Sequence, residues 1–344
     1  MRVVVDVSPL SHPRSGVGNY IRGSLLGLVE AGARDVVAFA PASAGGKQLI
    51  EDSLAGIAVE RRLPTLPAAH AVRTLWSRVG RPPVERVVGS LDVFHFSDWM
   101  YPPQRGGLRS TMIHDLVPLH HPEWVHPRTK RMHRSKYAHA ARACDVIVVN
   151  SRFTGDDVAS TLGVPRERIH VAYPGVEAVY TTEGPRAEGD YVLAVGTLEP
   201  RKNLANAIAG LRGRELRVVG ARGWGDVEAR GEHVTWLGPL HDAELARQIR
   251  GASVLVYPSR FEGFGMPIVE AMACGTPVVA SSHPSLDEAS GGVAIRADPD
   301  DPEAIARAVE VAEARRDELV PRGVEHAHAF TWEANARAHL EAWS

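Results

Sequence analysis

Short apolar runs rich in Val, Ile and Leu recur along the chain, and amphipathic stretches of helical period separate them. In the first half such runs predict strands over 3–7, 36–40, 91–96, 110–113, 145–149 and 169–172. In the second half they predict strands over 191–195, 215–219, 234–237, 253–257 and 277–280. The runs are almost continuously apolar instead of alternating, as strands covered on both faces must be, so parallel sheets are expected. Strand and helix patterns taking turns along a chain give α/β layers. One helix is expected over 20–29, and another, with tryptophans at both ends, over 332–343. Between the two series lies Pro174–Asp190, with Pro and Gly at both ends, the composition of a linker. The boundary is placed near 180, giving domains over 1–180 and 181–330, each with strands enough for its own doubly wound sheet.

Length and charge narrow the classes of function. A chain of 344 residues is long for one core, so two domains are the default. With 44% hydrophobic and 23% charged residues the composition is that of a globular protein. A net charge of −2 offers no global attraction to nucleic acid, and no nucleic-acid partner is expected. Cys144 and Cys274 stand far apart with no metal-ligand spacing, which fits a reducing compartment and two small buried hydrophobes. No apolar run approaches the ~20 residues a membrane span requires. The run 3–7 that follows Met1 is too short for a signal segment, so the expected location is cytoplasmic.

The richest chemistry lies between Tyr257 and Ala280. The run 253–257 reads as a buried strand stopped by Pro258, Pro267 suits the first position of a helix, and Gly275 suits the residue past its end. In a strand–loop–helix–strand unit, ligands sit where strands end and helices begin. Gly263 and Gly265 let backbone approach a ligand, and the N–H groups of Gly265, Met266 and Ile268 are expected to face phosphate or sugar oxygens. Glu262 and Glu270 flank this loop, and Glu270 is expected in the first helical turn, where the helix dipole favours a carboxylate. An ionised carboxylate accepts from two neighbouring hydroxyls at once, which suits a ribose or hexose diol.

Other groups qualify as site residues. Arg201 and Lys202 follow Pro200, where a helix start would disfavour cations unless an anion offsets them, so a diphosphate clamp is expected. Gly16 and Gly18 lie between the first strand and the 20–29 helix, but Ile21 stands where a dinucleotide fingerprint needs its third glycine. His114 and Asp115 follow the 110–113 strand at its carboxyl end. From Trp124 to Cys144 there is no acid but six cations, including Arg128 and Arg131, which on a helix could present a basic face to an anionic surface or acceptor. Asp298-Pro-Asp300 reads as a strand end and helix cap, and no metal requirement is expected.

The spacing of Glu262 and Glu270 resembles the E-x7-E signature of the retaining, nucleotide-sugar-dependent glycosyltransferases of family 4. The stretches Val195–Asn203, Ile113–Leu119 and Ser15–Tyr20 resemble that family too, nearest its bacterial mannosyl- and rhamnosyltransferase branch. The resemblance implies a GT-B fold, two doubly wound Rossmann-like domains facing each other across a deep cleft, with a terminal helix over 331–344 crossing back to the first. It implies transfer of a hexose from a nucleoside diphosphate sugar, GDP-mannose being favoured, to a hydroxyl acceptor that could be lipid-linked. No separate cofactor is implied, and peripheral contact with the inner face of a membrane is a further expectation. Donor binding then falls to Gly16, Gly18, Thr197, Arg201, Lys202, Glu262, Gly263, Phe264, Gly265, Met266, Pro267, Ile268 and Glu270. His114, Glu262 and Lys202 would serve the reaction, and Asp115, Arg128 and Arg131 the acceptor. Thr197 departs from the family, which often has Arg directly after the glycine, and Arg201 is the candidate replacement. A nucleotide-sugar epimerase and a non-catalytic sugar-nucleotide binder are the alternatives.

Overall fold

The computed structural model describes residues 1–13, 15–97, 101–127, 129–223, 227 and 229–344. The chain divides into two compact units. The first comprises Met1–Leu119, Pro127–Gly175 and Thr331–Ser344; the second comprises His120–His126 and Val176–Phe330.

In the first unit β1 (Arg2–Asp6), β2 (Asp35–Phe39), β3 (Glu60–Arg62), β4 (Val93–Phe96), β5 (Leu108–Ile113), β6 (Val146–Val149) and β7 (Ile169–Val171) form one sheet. Their order is β3-β2-β1-β4-β5-β6-β7, and every pairing is parallel. The second unit holds β8 (Val192–Val195), β9 (Leu216–Val219), β10 (Val234–Gly238), β11 (Val254–Tyr257), β12 (Val278–Ser281) and β13 (Ile295–Ala297). These are ordered β10-β9-β8-β11-β12-β13, again all parallel. Strand order reverses at β1/β4 in one sheet and at β8/β11 in the other. Such switch points open a crevice at the strands' carboxyl ends.

The apolar runs form the strands expected of them, because both sheets are covered on both faces. Val4, Val37, Phe94, Ile113 and Ile147 are fully enclosed in the first unit, as are Leu193, Val218 and Leu255 in the second. Each such side chain stabilises the fold by roughly 1.5–3 kcal/mol. Two strands lack that signal: β3, an exposed Glu-Arg-Arg edge, went unforeseen, and β13, a short edge strand containing Arg296, was expected only as the strand end before Asp298.

The helix Gly16–Glu30 starts earlier than expected: Ser15 caps it through its side chain, so Gly16 and Gly18 belong to its first turn and not to a loop. The terminal helix Trp332–Ala342 lies in the first unit against Gly16–Glu30. Gly23 and Gly27 let the two helices touch; a Cβ at Gly27 would lie 2.0 Å from the Trp332 carbonyl oxygen. Asn335 secures the joint by donating to the Tyr20 hydroxyl (3.0 Å) and the Tyr173 carbonyl (2.7 Å) while accepting from Ser24 Oγ (2.8 Å).

Candidate functional site

The second unit gathers its charged groups at the β8/β11 switch. The chain leaves β8 through Gly196 and the exposed Thr197 to Pro200–Lys202, a single 3-10 turn. Asn203 then takes left-handed backbone (φ 54), and the following helix begins only at Leu204. Arg201 and Lys202 are therefore not the first turn of an α-helix, which corrects the sequence expectation. The conflict inferred there is relieved locally, by carboxylates. Glu262 accepts from Arg201 Nη1 at 2.6 Å and from Lys202 Nζ at 2.6 Å. Glu199 accepts from Arg201 Nε at 2.8 Å. Lys202 Nζ also donates to the Tyr257 hydroxyl at 2.8 Å.

Glu262 is buried, and its backbone N–H donates to Ser285 Oγ at 3.0 Å. Burial alone would raise its pKa. Arg201 and Lys202 outweigh that cost and hold the carboxyl down at about 2. Burial, with Arg201 alongside, lowers Lys202 against the opposing pull of Glu262. The same burial raises the Tyr257 phenol well above its usual range, so it remains a neutral donor and acceptor. Two cations and two carboxylates thus share a largely enclosed site, with their geometry already set.

Past Glu262, Gly265 sits at φ 103, where a Cβ would come within 2.8 Å of Leu286 Cδ2. Glycine is required there on both counts. The helix Met266–Ala273 begins one residue before Pro267. Glu270 is its fifth residue, beyond the first turn expected for it, where the dipole's pull has faded. It is buried all the same. The Ile268 N–H, expected to face a ligand, instead donates to the Gly265 carbonyl at 3.0 Å. Phe264 packs inward against Phe330, ring centroids 5.2 Å apart, so its side chain is part of the core. Met266 and Pro267 are half-buried, and Gly263 is buried beside Glu262.

Sequence reasoning missed Glu199, Tyr257 and Ser285, which support the charged triad. Glu199 immediately precedes Pro200, and Tyr257 is the last residue of its strand; both positions were legible, their roles were not. His120–His126, also unforeseen, belongs to the second unit, where His121 stacks on Trp124 (3.8 Å) and lies 5.9 Å from the Phe261 ring.

In the first unit, His114 follows β5, half-buried, with its ring edge-on to Tyr20 at 5.2 Å. Burial, helped by Lys136, drops its pKa to about 3, so the imidazole is neutral. Asp115 accepts from the Val117 N–H at 3.1 Å, which makes it a turn residue as well as a site candidate. Of the basic run, Arg131, Arg134 and Arg142 are exposed on the helix Lys130–Ala143. Lys136 on the same helix is buried, donating to the carbonyls of Ser97 (2.6 Å) and Met112 (2.8 Å), so the run is not one continuous basic face. Arg128 lies outside the described residues. Asp301, next to the Asp298–Asp300 pair, caps the helix Pro302–Ala314 through its carboxylate.

Known proteins match over most of the chain. Residues 189–312 match the family model described as "Glycosyl transferases group 1", and residues 14–179 the one described as "Glycosyltransferase Family 4". O-antigen chain mannosyltransferase B of Escherichia coli is 28% identical, covering 97% of this chain and 97% of its own. D-inositol 3-phosphate glycosyltransferase of Paenarthrobacter aurescens is 26% identical over 98% of this chain and 96% of its own. Among solved structures, sucrose-phosphate synthase from Thermosynechococcus elongatus shares the fold with a TM-score of 0.71 at 18% identity, covering 99% of this chain and 98% of that one.

Proposed function

The chain belongs to the group 1, family 4 glycosyltransferases and has their GT-B architecture, and from that premise we propose that it moves a hexose from a nucleoside diphosphate sugar to a hydroxyl acceptor with retention of anomeric configuration. The observation that carries this reading is the triad of Arg201, Lys202 and Glu262 at the switch point of the second sheet. A diphosphate supplies the charge the two cations need once they turn from Glu262. The carboxylate then accepts from sugar hydroxyls, each such charge-assisted bond being worth roughly 1.5–3 kcal/mol. Glu270 holds the ribose diol, and the backbone from Gly263 to Met266 orients the sugar.

Catalysis is stabilisation of the departing diphosphate by Arg201 and Lys202, which take the place of a metal ion, together with positioning of the sugar. A carboxylate held at about pKa 2 is a weak nucleophile, which favours attack on the same face of the sugar over a double displacement through Glu262. His114, neutral and at a strand's carboxyl end, serves the reacting centre as a hydrogen-bonding group. The name of the E. coli relative, a mannosyltransferase, supports mannose as the sugar, and GDP-mannose is the donor we favour. Among the described residues no helix is long and apolar enough to cross a membrane. The exposed Arg131, Arg134 and Arg142 suit peripheral contact with an anionic surface or a lipid-linked acceptor.

The test is incubation with GDP-mannose or UDP-glucose and a panel of hexosides, reading nucleoside diphosphate release and the anomeric proton of the product. An α product from these α donors is expected. A β product would overturn retention, and no release from any sugar nucleotide would overturn the reading as a whole.

A further inference from the structure

The loop that carries Glu262 rests on the short turn Pro284–Leu286, which follows β12. The two meet at two points. Ser285 Oγ accepts from the Glu262 N–H at 3.0 Å, and the fully buried Leu286 is the side chain that a Cβ at Gly265 would strike. One residue before Glu262, the Phe261 carbonyl accepts from Arg201 Nη1 at 3.3 Å. Where the turn sits therefore decides where the backbone of Glu262 sits.

An imidazole holds that turn. His283 stands at its N-cap, where Nδ1 accepts from the Ser285 N–H at 3.2 Å and lies 2.9 Å from Ser285 Oγ. One N–H cannot donate to another, so the Ser285 amide makes Nδ1 an acceptor and puts the ring proton on Nε2. The Ser285 hydroxyl then donates to Nδ1 as well and keeps its oxygen turned to the Glu262 N–H. The bonds run in one direction, from the Glu262 amide through the Ser285 hydroxyl to His283, and each polarises the next. The usual N-cap residues, Asn and Ser among them, accept at any pH. A histidine does so only while it is neutral.

The charged groups around His283 come from three elements. Arg296 on β13 donates to the His283 carbonyl at 2.8 Å and to Asp287 at 2.7 Å. The Phe261 ring lies 5.1 Å from the imidazole, and the rings of His120 and His121 lie 6.0 and 5.9 Å from that of Phe261. Glu123 pairs with His121 at 3.2 Å. Burial lowers the His283 pKa, His121 and Arg296 act in the same sense, and Asp287 opposes them. The ring is thus neutral at pH 7 and gains its proton as pH falls below the usual histidine range. Protonated, Nδ1 would meet the Ser285 N–H donor to donor, and the cap would open. Glu262, held at about 2, does not titrate in that range.

We infer that His283 is a positioning residue for Glu262: its neutral imidazole locks the Pro284–Leu286 turn beneath the carboxylate, and a proton on Nδ1 releases the lock and slows transfer. The inference rests on the glycosyl-transfer reading above and adds a proton-sensitive control to it.

The test follows nucleoside diphosphate release from GDP-mannose and UDP-glucose between pH 5 and 8 in wild type, His283→Ala and His283→Asn. Titration calorimetry of GDP and UDP and long-range ¹H–¹⁵N spectra of the imidazoles accompany it. His283→Ala is expected to lower kcat by about tenfold or more at pH 7.5, through misplacement of Glu262. His283→Asn, whose side-chain oxygen accepts without titrating, is expected to restore most of that loss. The wild-type rate should fall by about threefold or more from pH 7.5 to 5, and this fall should be absent from the Asn variant. In the spectra the signal lost in His283→Asn should report Nδ1 unprotonated at pH 7.5 and protonated as the rate falls. An Asn variant no more active than the Ala variant, an acid limb the same as that of wild type, or a proton on Nδ1 at pH 7.5 would overturn the inference while nucleotide binding left the donor reading standing. Failure of GDP and UDP to bind wild type would count against the donor reading itself, and the spectra would still decide the lock.

Discussion

Replacing Glu262 by glutamine separates two jobs of one carboxylate. It pairs with Arg201 and Lys202, Glu199 sharing Arg201; with donor bound it is to hold the sugar. Its carboxyl falls from an ordinary 4.5 to about 2 in the folded protein. At roughly 1.36 kcal/mol per tenfold change, that fall corresponds to about 3 kcal/mol of stability carried by the charge. Glu262→Gln keeps the shape and some hydrogen bonding but leaves Lys202 without its counter-charge and Arg201 with Glu199 alone. For a unit of this size the melting temperature should drop by about 6–12 °C. A depressed folded pKa means that the contribution is present above pH 4.5 and disappears as pH falls toward 2, so wild type should lose the same increment across that window. Nucleoside diphosphate binding should change in the opposite direction. A dianion no longer competes with Glu262 for Arg201 and Lys202, so affinity should rise by about tenfold, some 1.4 kcal/mol. Transfer to any acceptor should fall even so, because the sugar loses its carboxylate. Differential scanning fluorimetry with and without GDP or UDP, beside titration calorimetry, reads the first two effects, and nucleoside diphosphate release from the donor reads the third. A variant with unchanged melting temperature and weaker nucleotide binding would refute the exchange of carboxylate for diphosphate.

Three more predictions are independent of that one. Glu270→Ala should weaken binding of the nucleoside diphosphate by about tenfold or more, the loss of a charge-assisted diol contact, as read by calorimetry; an unchanged dissociation constant would remove the ribose role. Transfer should persist in excess chelator, because Arg201 and Lys202 carry the leaving group's charge, and activity lost to EDTA and restored by Mg²⁺ would contradict this. Gly27→Ala should destabilise the first unit by several kcal/mol, seen in denaturant melts, because its Cβ would meet the Trp332 carbonyl at 2.0 Å and force the terminal helix away.

What could be read from the sequence follows from how locally each feature is encoded. Parallel strands such as Val146–Val149 and Val254–Tyr257 announce themselves, because burial on both faces demands unbroken apolar runs. The exposed edge strand Glu60–Arg62 has no such requirement and carries no such run. Glu262, Arg201 and Lys202 were legible through their spacing and glycine framing, yet their mutual pairing was not, since it joins residues sixty positions apart. The Glu270 position was misjudged by a turn because the helix starts at Met266, and a single residue decides which turn a carboxylate occupies. Lys136 is the clearest case of tertiary override. Within a run of cations it reads as solvated, and only the strand ends above it, with carbonyls at Ser97 and Met112, make burial worthwhile.

On this reading an activated sugar's diphosphate replaces Glu262 on Arg201 and Lys202. The most direct measurement is titration calorimetry of GDP, UDP and GDP-mannose into the full chain and into Lys202→Met. One-site binding to wild type, weakened by about tenfold or more in the variant, is the predicted result. Equal affinity in the two proteins, or no binding of any nucleotide to wild type, would contradict it.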